Sequence, residues 1–183
     1  MDRIFLLDRS GSMETCRDDT IGGFNAFVED QKATGGTLTL IQFDHEYLKS
    51  YENVPITEVN PLTRETFQPR GSTALLDAIG RTIKECKVQN PTVIIMTDGL
   101  ENSSHKYTKA HIKDLIDARQ KDGWTFVYLG ANQDAFAEAG SIGIAPAGTM
   151  NYDPRRTPEA LTQLSQALSS QASGATQTLE LAL

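Results

Sequence analysis

The chain has 183 residues, of which 39% are hydrophobic and 22% are charged, so it is long enough to form one globular domain with a substantial core. Its net charge of −7 at pH 7 argues against nucleic acid or an anionic membrane as the main partner, because both bind basic surfaces. We therefore expect neither a nucleic-acid-binding nor a membrane-associated function.

The two cysteines, Cys16 and Cys86, have the spacing of neither a zinc site nor a CxxC redox motif, and they indicate two reduced thiols. The opening residues lack a basic stretch followed by an apolar leader, and no apolar run approaches the ~18 residues that a membrane-spanning helix needs. We therefore expect a cytoplasmic protein. The alternative is a mature fragment from which a targeting segment is missing.

An apolar segment near the amino terminus, IFLL at 4–7, predicts a buried strand that ends at the carboxylate of Asp8. Ser10 and Ser12 follow at alternate positions, and Gly11 between them lets the backbone bend. In open α/β sheets, ligands bind beyond the carboxyl ends of the strands. One carboxylate with neutral hydroxyls suits a hard divalent cation such as Mg2+ or Mn2+. Taken alone, the segment also fits a cluster of helix N-cap residues.

The next segments predict one helix and two strands. Apolar side chains at three-to-four-residue spacing indicate a helix over residues 16–32. The sequence TLTLIQF (37–43) predicts a strand, and YLKSY (47–51) predicts another after a very short connection. Such a connection forms a hairpin, so the third strand should run antiparallel at the edge of the sheet. Residues 53–71 contain three prolines and should be irregular, with a short helix at 62–67.

The second half of the chain alternates helices and strands. Thr73 opens a helix that is broken at Asn90-Pro91. The remaining predicted elements are strands at 92–97, 124–129 and 142–145, and helices at 108–121, 134–139 and 157–169. Beyond residue 169 the composition changes to Ser, Gln, Ala, Thr and Gly. We therefore predict one domain over residues 1–169 and a flexible tail over residues 170–183.

This order of elements predicts an α/β fold with a Rossmann-like, doubly wound, mostly parallel sheet, helices on both faces and one antiparallel edge strand. The hairpin sends the third strand outward from the second. With right-handed crossovers, the first and fourth strands become central neighbours at the point where the winding reverses. Asp8 and Asp98 therefore leave adjacent strands at this switch point, and the loop that carries Thr73 reaches the same crevice.

Three separate segments together form the pattern D-x-S-x-S…T…D, which resembles the metal-ion-dependent adhesion site of von Willebrand factor A (vWA) domains. The residues of the pattern are Asp8, Ser10, Ser12, Thr73 and Asp98. Asp8 follows the first strand, Thr73 opens a helix within GSTAL, and Asp98 lies in TDG after an apolar strand. The resemblance covers residues 3–168, and the short chain resembles the stand-alone vWA proteins of bacteria and their phages.

The resemblance implies a role for each residue of the pattern. Ser10 and Ser12 would bind the metal directly. Thr73 would bind it directly in a high-affinity state and through water otherwise, while Asp8 and Asp98 would hold coordinating waters or alternate as ligands. A last coordination position would stay open for a Glu or Asp carboxylate of a partner protein. The expected function is therefore a divalent-metal-dependent protein-binding module with Mg2+ or Mn2+ as its cofactor, and not an enzyme.

Four residues beside the predicted site are candidates for partner binding. Arg9 and Arg70 would guide an acidic partner, and the alternative is that both are solvated surface arginines. Glu101 and Asn132 would line the crevice next to the metal, as would Asp44.

An alternative function is a Mg2+-dependent phosphotransfer enzyme with Asp8 as its nucleophile. Its resemblance to haloacid-dehalogenase-like phosphatases is incomplete, because these need a second aspartate where this chain has Ser10. The sequence contains no nucleophile elbow, P-loop or dinucleotide-binding pattern. We expect a monomer. The alternative is self-association in which Glu180 of the tail gives its carboxylate to the site of a neighbouring molecule.

Overall fold

The computed structural model of the protein describes residues 1–176 and 178–181. Within this part of the chain, one sheet contains the strands β1 (Arg3–Asp8), β2 (Thr37–Phe43), β3 (Tyr47–Pro55), β4 (Thr92–Thr97), β5 (Thr125–Gly130) and β6 (Thr149–Asn151). The α-helices are α1 (Arg17–Gln31), α2 (Leu75–Glu85), α3 (Lys109–Lys121), α4 (Ala135–Ser141) and α5 (Thr157–Ala172). None of these helices is long and apolar enough to cross a membrane.

The strands lie in the order β3-β2-β1-β4-β5-β6. Only β3 is antiparallel to its neighbour among these strands, and the other pairs are parallel. The order confirms the predicted Rossmann-like sheet with one antiparallel edge strand. It also places β1 beside β4 at the centre, where the winding of the chain changes direction.

The core lies on both faces of the sheet, because alternate side chains of β1 point to opposite faces. Phe5 and Leu7 belong to the apolar cluster with α1 and α5, and the Phe5 ring packs edge-on against Phe24, 5.3 Å between ring centres. Ile4 and Leu6 belong to the cluster with α2 and α3. All six residues of β1 and of β4 are buried. The two central strands are therefore held rigidly from both sides, and so are the residues at their carboxyl ends.

The last edge strand predicted at residues 142–145 is wrong. Ile142 and Ile144 are 2% exposed and pack in the core as a loop that follows α4. The edge strand is β6 instead, which pairs parallel to β5 through residues such as Met150. Apolar residues at alternate positions fit a strand, but they fit equally a loop that anchors two side chains in the core.

The short helix predicted at residues 62–67 is also wrong. Residues 64–66 form a turn, and the backbone N–H of Thr63 donates to the hydroxyl of Thr66 at 2.9 Å. Leu62 and Phe67 are buried on either side of this turn. These two apolar residues produced the helical pattern, but they are anchors of a loop. The helix predicted to open at Thr73 begins two residues later, at the start of α2.

The carboxyl-terminal segment contains buried residues. The domain boundary predicted at residue 169 falls inside α5. Leu179 and Leu181 are 5% and 6% exposed and belong to the same cluster as α5, and the amide of Leu181 donates to the carbonyl of Ala147 at 3.0 Å. Residues 177, 182 and 183 lie outside the described residues. The flexibility of residues 170–183 stays a prediction.

Candidate metal centre

The central strands bring two carboxylates to the same edge of the sheet. Asp8 is the last residue of β1, and Asp98 follows β4 directly. Asp8 is 0% exposed and Asp98 is 2% exposed. Burial raises the pKa of Asp8 to about 6, and burial also raises the pKa of Asp98 above its usual range. Two buried carboxylates at one place favour a bound cation, which offsets both their desolvation and their repulsion.

Ser10 and Ser12 connect these two carboxylates. The backbone N–H of Ser10 donates to Oδ1 of Asp8 at 2.6 Å, so the loop after β1 folds back over the strand end. The hydroxyl of Ser12 donates to Oδ1 of Asp98 at 2.6 Å, and it lies 3.2 Å from the Ser10 hydroxyl. The loop then enters a 3-10 helix at Gly11–Cys16. The loops after β1 and β4 are therefore in direct contact through their side chains.

The loop before α2 carries Thr73 next to both of the other loops. The N–H of Gly11 donates to the carbonyl of Gly71 at 3.0 Å, which ties this loop to the one after β1. The N–H of Thr73 donates to the side chain of Asn102 at 2.8 Å, and its carbonyl accepts from the Asn102 amide at 3.0 Å. Thr73 is 3% exposed, and among the described residues its hydroxyl makes no hydrogen bond. That oxygen remains available to a ligand.

The donor set fits a hard divalent cation. We call the five residues the metal cluster: Asp8, Ser10, Ser12, Thr73 and Asp98. Its side-chain donors are all oxygens, from two carboxylates and three hydroxyls, which is the chemistry that Mg2+ and Mn2+ prefer. Across residues 1–176 and 178–181, no group of three or more His, Cys, Asp or Glu side chains is placed to hold a metal. A cation at this edge would therefore depend on the hydroxyls as much as on the carboxylates.

Thr97 also lies at this edge, although it is not part of the sequence pattern that predicted the metal cluster. Its hydroxyl donates to Oδ2 of Asp8 at 2.6 Å and is fully buried with the strand end. Because Oδ1 accepts from the Ser10 amide, both oxygens of Asp8 are fixed by the chain. The sequence does contain an indication of this role, because Thr97 carries a hydroxyl and directly precedes Asp98 at the end of β4.

The two arginines predicted to guide a partner both contact Asp44, which is completely buried. Nε of Arg70 donates to Oδ2 of Asp44 at 3.0 Å. Nε of Arg9 lies 3.1 Å from the same oxygen, with the geometry of an ion pair rather than of a hydrogen bond. Arg9 is only 8% exposed, whereas half of the Arg70 side chain is exposed and also pairs with Glu46. Arg9 is thus held in the interior beside Asp44, whereas Arg70 stays half exposed, and the role of both in partner binding stays a prediction.

Glu101 and Asn132, the other two predicted partner-binding residues, differ in exposure and in the hydrogen bonds that they form. The carboxylate of Glu101 accepts from the amides of residues 103–104 at 2.9 and 2.6 Å and from the amide of Leu76 at 3.0 Å. It therefore closes its own loop against the start of α2, and its role in partner binding stays a prediction. Asn132 is exposed, and its Nδ2 donates to the carbonyl of Asp98 at 3.3 Å.

An apolar side chain also lies at the rim of the metal cluster. Leu100 follows Asp98 by two residues and is 55% exposed, which is more than any other large apolar side chain in the described part of the chain. The rim therefore offers an apolar contact beside the carboxylates.

Comparison with known proteins shows the fold. No protein-family model matches the chain, and no curated protein matches it. Among solved structures, proximal thread matrix protein 1 of the mussel byssus with a zinc-occupied MIDAS motif shares 16% identity at a TM-score of 0.65, over 92% of this chain and 47% of that one. The vWF domain of the pilus tip protein Mfa5 from Porphyromonas gingivalis shares 12% identity at a TM-score of 0.68, over 92% and 94%.

A third structure is the manganese-loaded TRAP protein of Plasmodium vivax, with 18% identity and a TM-score of 0.56 over 90% of this chain and 72% of that one. The likeness confirms the vWA fold that the sequence predicts. The chain spans less than half the length of the mussel protein. Two of the three similar structures hold a divalent metal, zinc in one and manganese in the other.

Proposed function

We propose that the chain is a divalent-metal-dependent protein-binding module that captures a Glu or Asp carboxylate of a partner protein at the metal cluster. The observation that carries the proposal is the convergence of two buried carboxylates and three hydroxyls, from three distant segments, at one edge of the sheet. Mg2+ keeps several waters and is held by few protein oxygens, so a partner carboxylate can replace a water.

The family resemblance suggests a role for each residue of the metal cluster. Ser10, Ser12 and Thr73 bind the cation, while Asp8 and Asp98 hold its waters or alternate as ligands. The zinc-occupied and manganese-loaded structures support a divalent cation in this fold. Mg2+ or Mn2+ is the cation proposed for this chain, because the cluster has oxygen donors without the imidazole or thiolate ligands that favour zinc.

A phosphotransfer enzyme is less well supported. Asp8 would have to present a free carboxylate oxygen to the phosphorus of a substrate. It is 0% exposed, and its two oxygens accept hydrogen bonds from Ser10 and Thr97. We therefore propose a function without catalysis. Hydrolysis of p-nitrophenyl phosphate in Mg2+, abolished by Asp8→Asn, would contradict this.

We also propose that the protein acts in the cytoplasm as a monomer. Cys16 and Cys86 are both free thiols, which fits a reducing compartment. Cell fractionation tests the location. Sedimentation of the wild type and of Glu180→Gln in Mg2+ tests the assembly, since a larger mass that the substitution removes would support self-association through Glu180 instead.

Affinity capture from a lysate of the source cell tests the binding function. The bait is compared in Mg2+ and in EDTA, together with Thr73→Ala, which removes a hydroxyl from the metal cluster. Thr63→Ala is the matched control, because Thr63 is an exposed threonine in another loop. We expect a partner that the wild type and the control retain only in Mg2+. A partner held equally in EDTA and by Thr73→Ala would contradict the proposal.

A further inference from the structure

A groove of about 700 Å³ begins next to the metal cluster. It lies between the start of β3, helix α2 and the loop at residues 105–107. Ala74, which directly follows Thr73 in the chain, lines the groove, so the groove lies beside the metal cluster although none of the five cluster residues lines it. The rings of Tyr47 and Tyr107 form part of its walls. This volume is in the range of ligand-binding clefts.

The cationic side chains of the groove are not all neutralised. Arg81 lies over the ring of Tyr47, 4.2 Å from its centre, and pairs with Glu85 at 2.8 Å. Lys84 and Lys106 are exposed, and neither forms an ion pair with any residue that the structure describes. The groove therefore has two lysines available to an anion, and Lys84 lies in the last turn of α2, at the opposite end of this helix from Thr73.

The acidic side chains of the groove, in contrast, are engaged within the chain. Glu46 pairs with Arg70, and Glu85 pairs with Arg81. Asp77 accepts the backbone N–H groups of residues 105–107 at 2.9 to 3.0 Å. These hydrogen bonds stabilise the charge of Asp77 without cancelling it, so the unpaired charge of the groove is that of two lysines against one aspartate, in a chain whose net charge is −7.

We propose that the groove binds the continuation of the partner segment, and that this segment is an extended, acidic stretch of protein. Its first carboxylate binds the metal, which rests on the proposed function, and its following carboxylates pair with Lys84 and Lys106. The flat rings of Tyr47 and Tyr107 contact the backbone and the side-chain stems between these charges. A polyphosphate chain fits less well, because the rings of Tyr47 and Tyr107 line the groove and offer apolar contacts that a peptide uses and a chain of phosphates does not.

Fluorescence anisotropy with two labelled peptides tests the groove. One probe is hexaglutamate, and the other is a single glutamate followed by five serines. Both are titrated with the full chain in Mg2+ and in EDTA, using the wild type and Lys84→Gln/Lys106→Gln. The matched control is Lys113→Gln/Lys121→Gln, which removes the same charge from the exposed surface of α3.

We expect the groove variant to weaken hexaglutamate binding about fivefold to tenfold at low salt, the size typical of two exposed ion pairs. The single-glutamate probe should bind both variants as it binds the wild type, because its contact is with the metal. Equal losses of hexaglutamate binding in the two variants, or equal affinities of the two probes for the wild type, would overturn the inference. Inorganic polyphosphate that displaces the labelled peptide more effectively than unlabelled hexaglutamate would overturn the assignment to protein.

The two proposals fail in different ways. Binding of the single-glutamate probe that is the same in EDTA as in Mg2+ contradicts the proposed function, whatever the lysines do. Metal-dependent binding of that probe, with no effect of the lysines on hexaglutamate, contradicts the groove alone.

Discussion

The hydroxyl of Thr97 donates a hydrogen bond to Oδ2 of Asp8 at 2.6 Å, and it thereby joins the carboxyl ends of β4 and β1. Oδ1 of Asp8 accepts from the Ser10 amide at 2.6 Å, so the carboxylate is held on both sides. Residues that orient a group at a metal site in this way matter for affinity nearly as much as the ligands do.

Thr97→Val should therefore weaken Mn2+ binding about tenfold or more, because valine keeps the shape of the side chain but cannot donate to Asp8. Isothermal titration with Mn2+ at pH 7 measures the change, and Thr97→Ser should restore most of the affinity. Thr92→Val is the control, since Thr92 is also buried, at the other end of β4. Equal affinities of the two valine variants would refute a role of the Thr97 hydroxyl.

The buried carboxylate predicts how the stability of the metal-free protein depends on pH. Burial raises the pKa of Asp8 from 3.8 to about 6, so the folded state binds this proton more tightly than the unfolded state does. The stabilisation from this proton is complete below pH 4 and is lost as the pH rises from about 4 to 6. This difference between the folded and the unfolded pKa of Asp8 corresponds to about 3 kcal/mol in the free energy of unfolding.

Urea unfolding in EDTA between pH 4 and pH 7 measures this effect. Asp8→Asn should lose less stability over this range than the wild type does, because its amide does not titrate. Excess Mg2+ should reverse the trend for the wild type, since the cation binds the ionised carboxylate and stabilises the folded state by linkage. If the free energies of unfolding of the wild type and of Asp8→Asn in EDTA depended on pH in the same way, the titration of Asp8 would not determine the stability.

The position of the metal cluster could be predicted because its determinants are local in sequence. Asp8 and Asp98 each follow an uninterrupted apolar run, and parallel strands end at the same edge of the sheet. The short connection after β2 fixes the direction of β3, and the order of the central strands follows from it.

Contacts between distant polar residues could not be predicted in this way. Arg9 is a surface arginine by sequence, and only the fold brings it to the buried Asp44. Glu101 likewise shows no pattern that pairs it with the amide of Leu76. Strand β6 was missed because it has three residues, and period-two alternation cannot be recognised over so short a length.

The ion pair between Arg9 and Asp44 predicts a large loss of stability when its acid is removed. Asp44→Ala would leave the nearly buried guanidinium of Arg9 with only the exposed Glu46, 4.0 Å away, as a counterion, and breaking a buried pair from one side costs about 3–5 kcal/mol. Glu46→Ala should cost less than about 1 kcal/mol, because Glu46 is exposed. Urea unfolding of both variants in Mg2+ compares them, and equal losses would contradict the structural role of Asp44.

Two helical glycines should respond to alanine in opposite directions. Alanine is favoured over glycine inside a helix by about 1 kcal/mol, so Gly22→Ala in α1 should stabilise the protein, since its Cβ would meet no atom within 4 Å. At Gly80 in α2, a Cβ would lie 2.6 Å from ring atoms of Tyr107, so the ring must move and the helical gain is lost. Urea unfolding should therefore rank Gly22→Ala above the wild type and Gly80→Ala below it. Equal stabilisation by the two substitutions would mean that Tyr107 does not pack against α2, and the groove beside the metal cluster would then lack one of its walls.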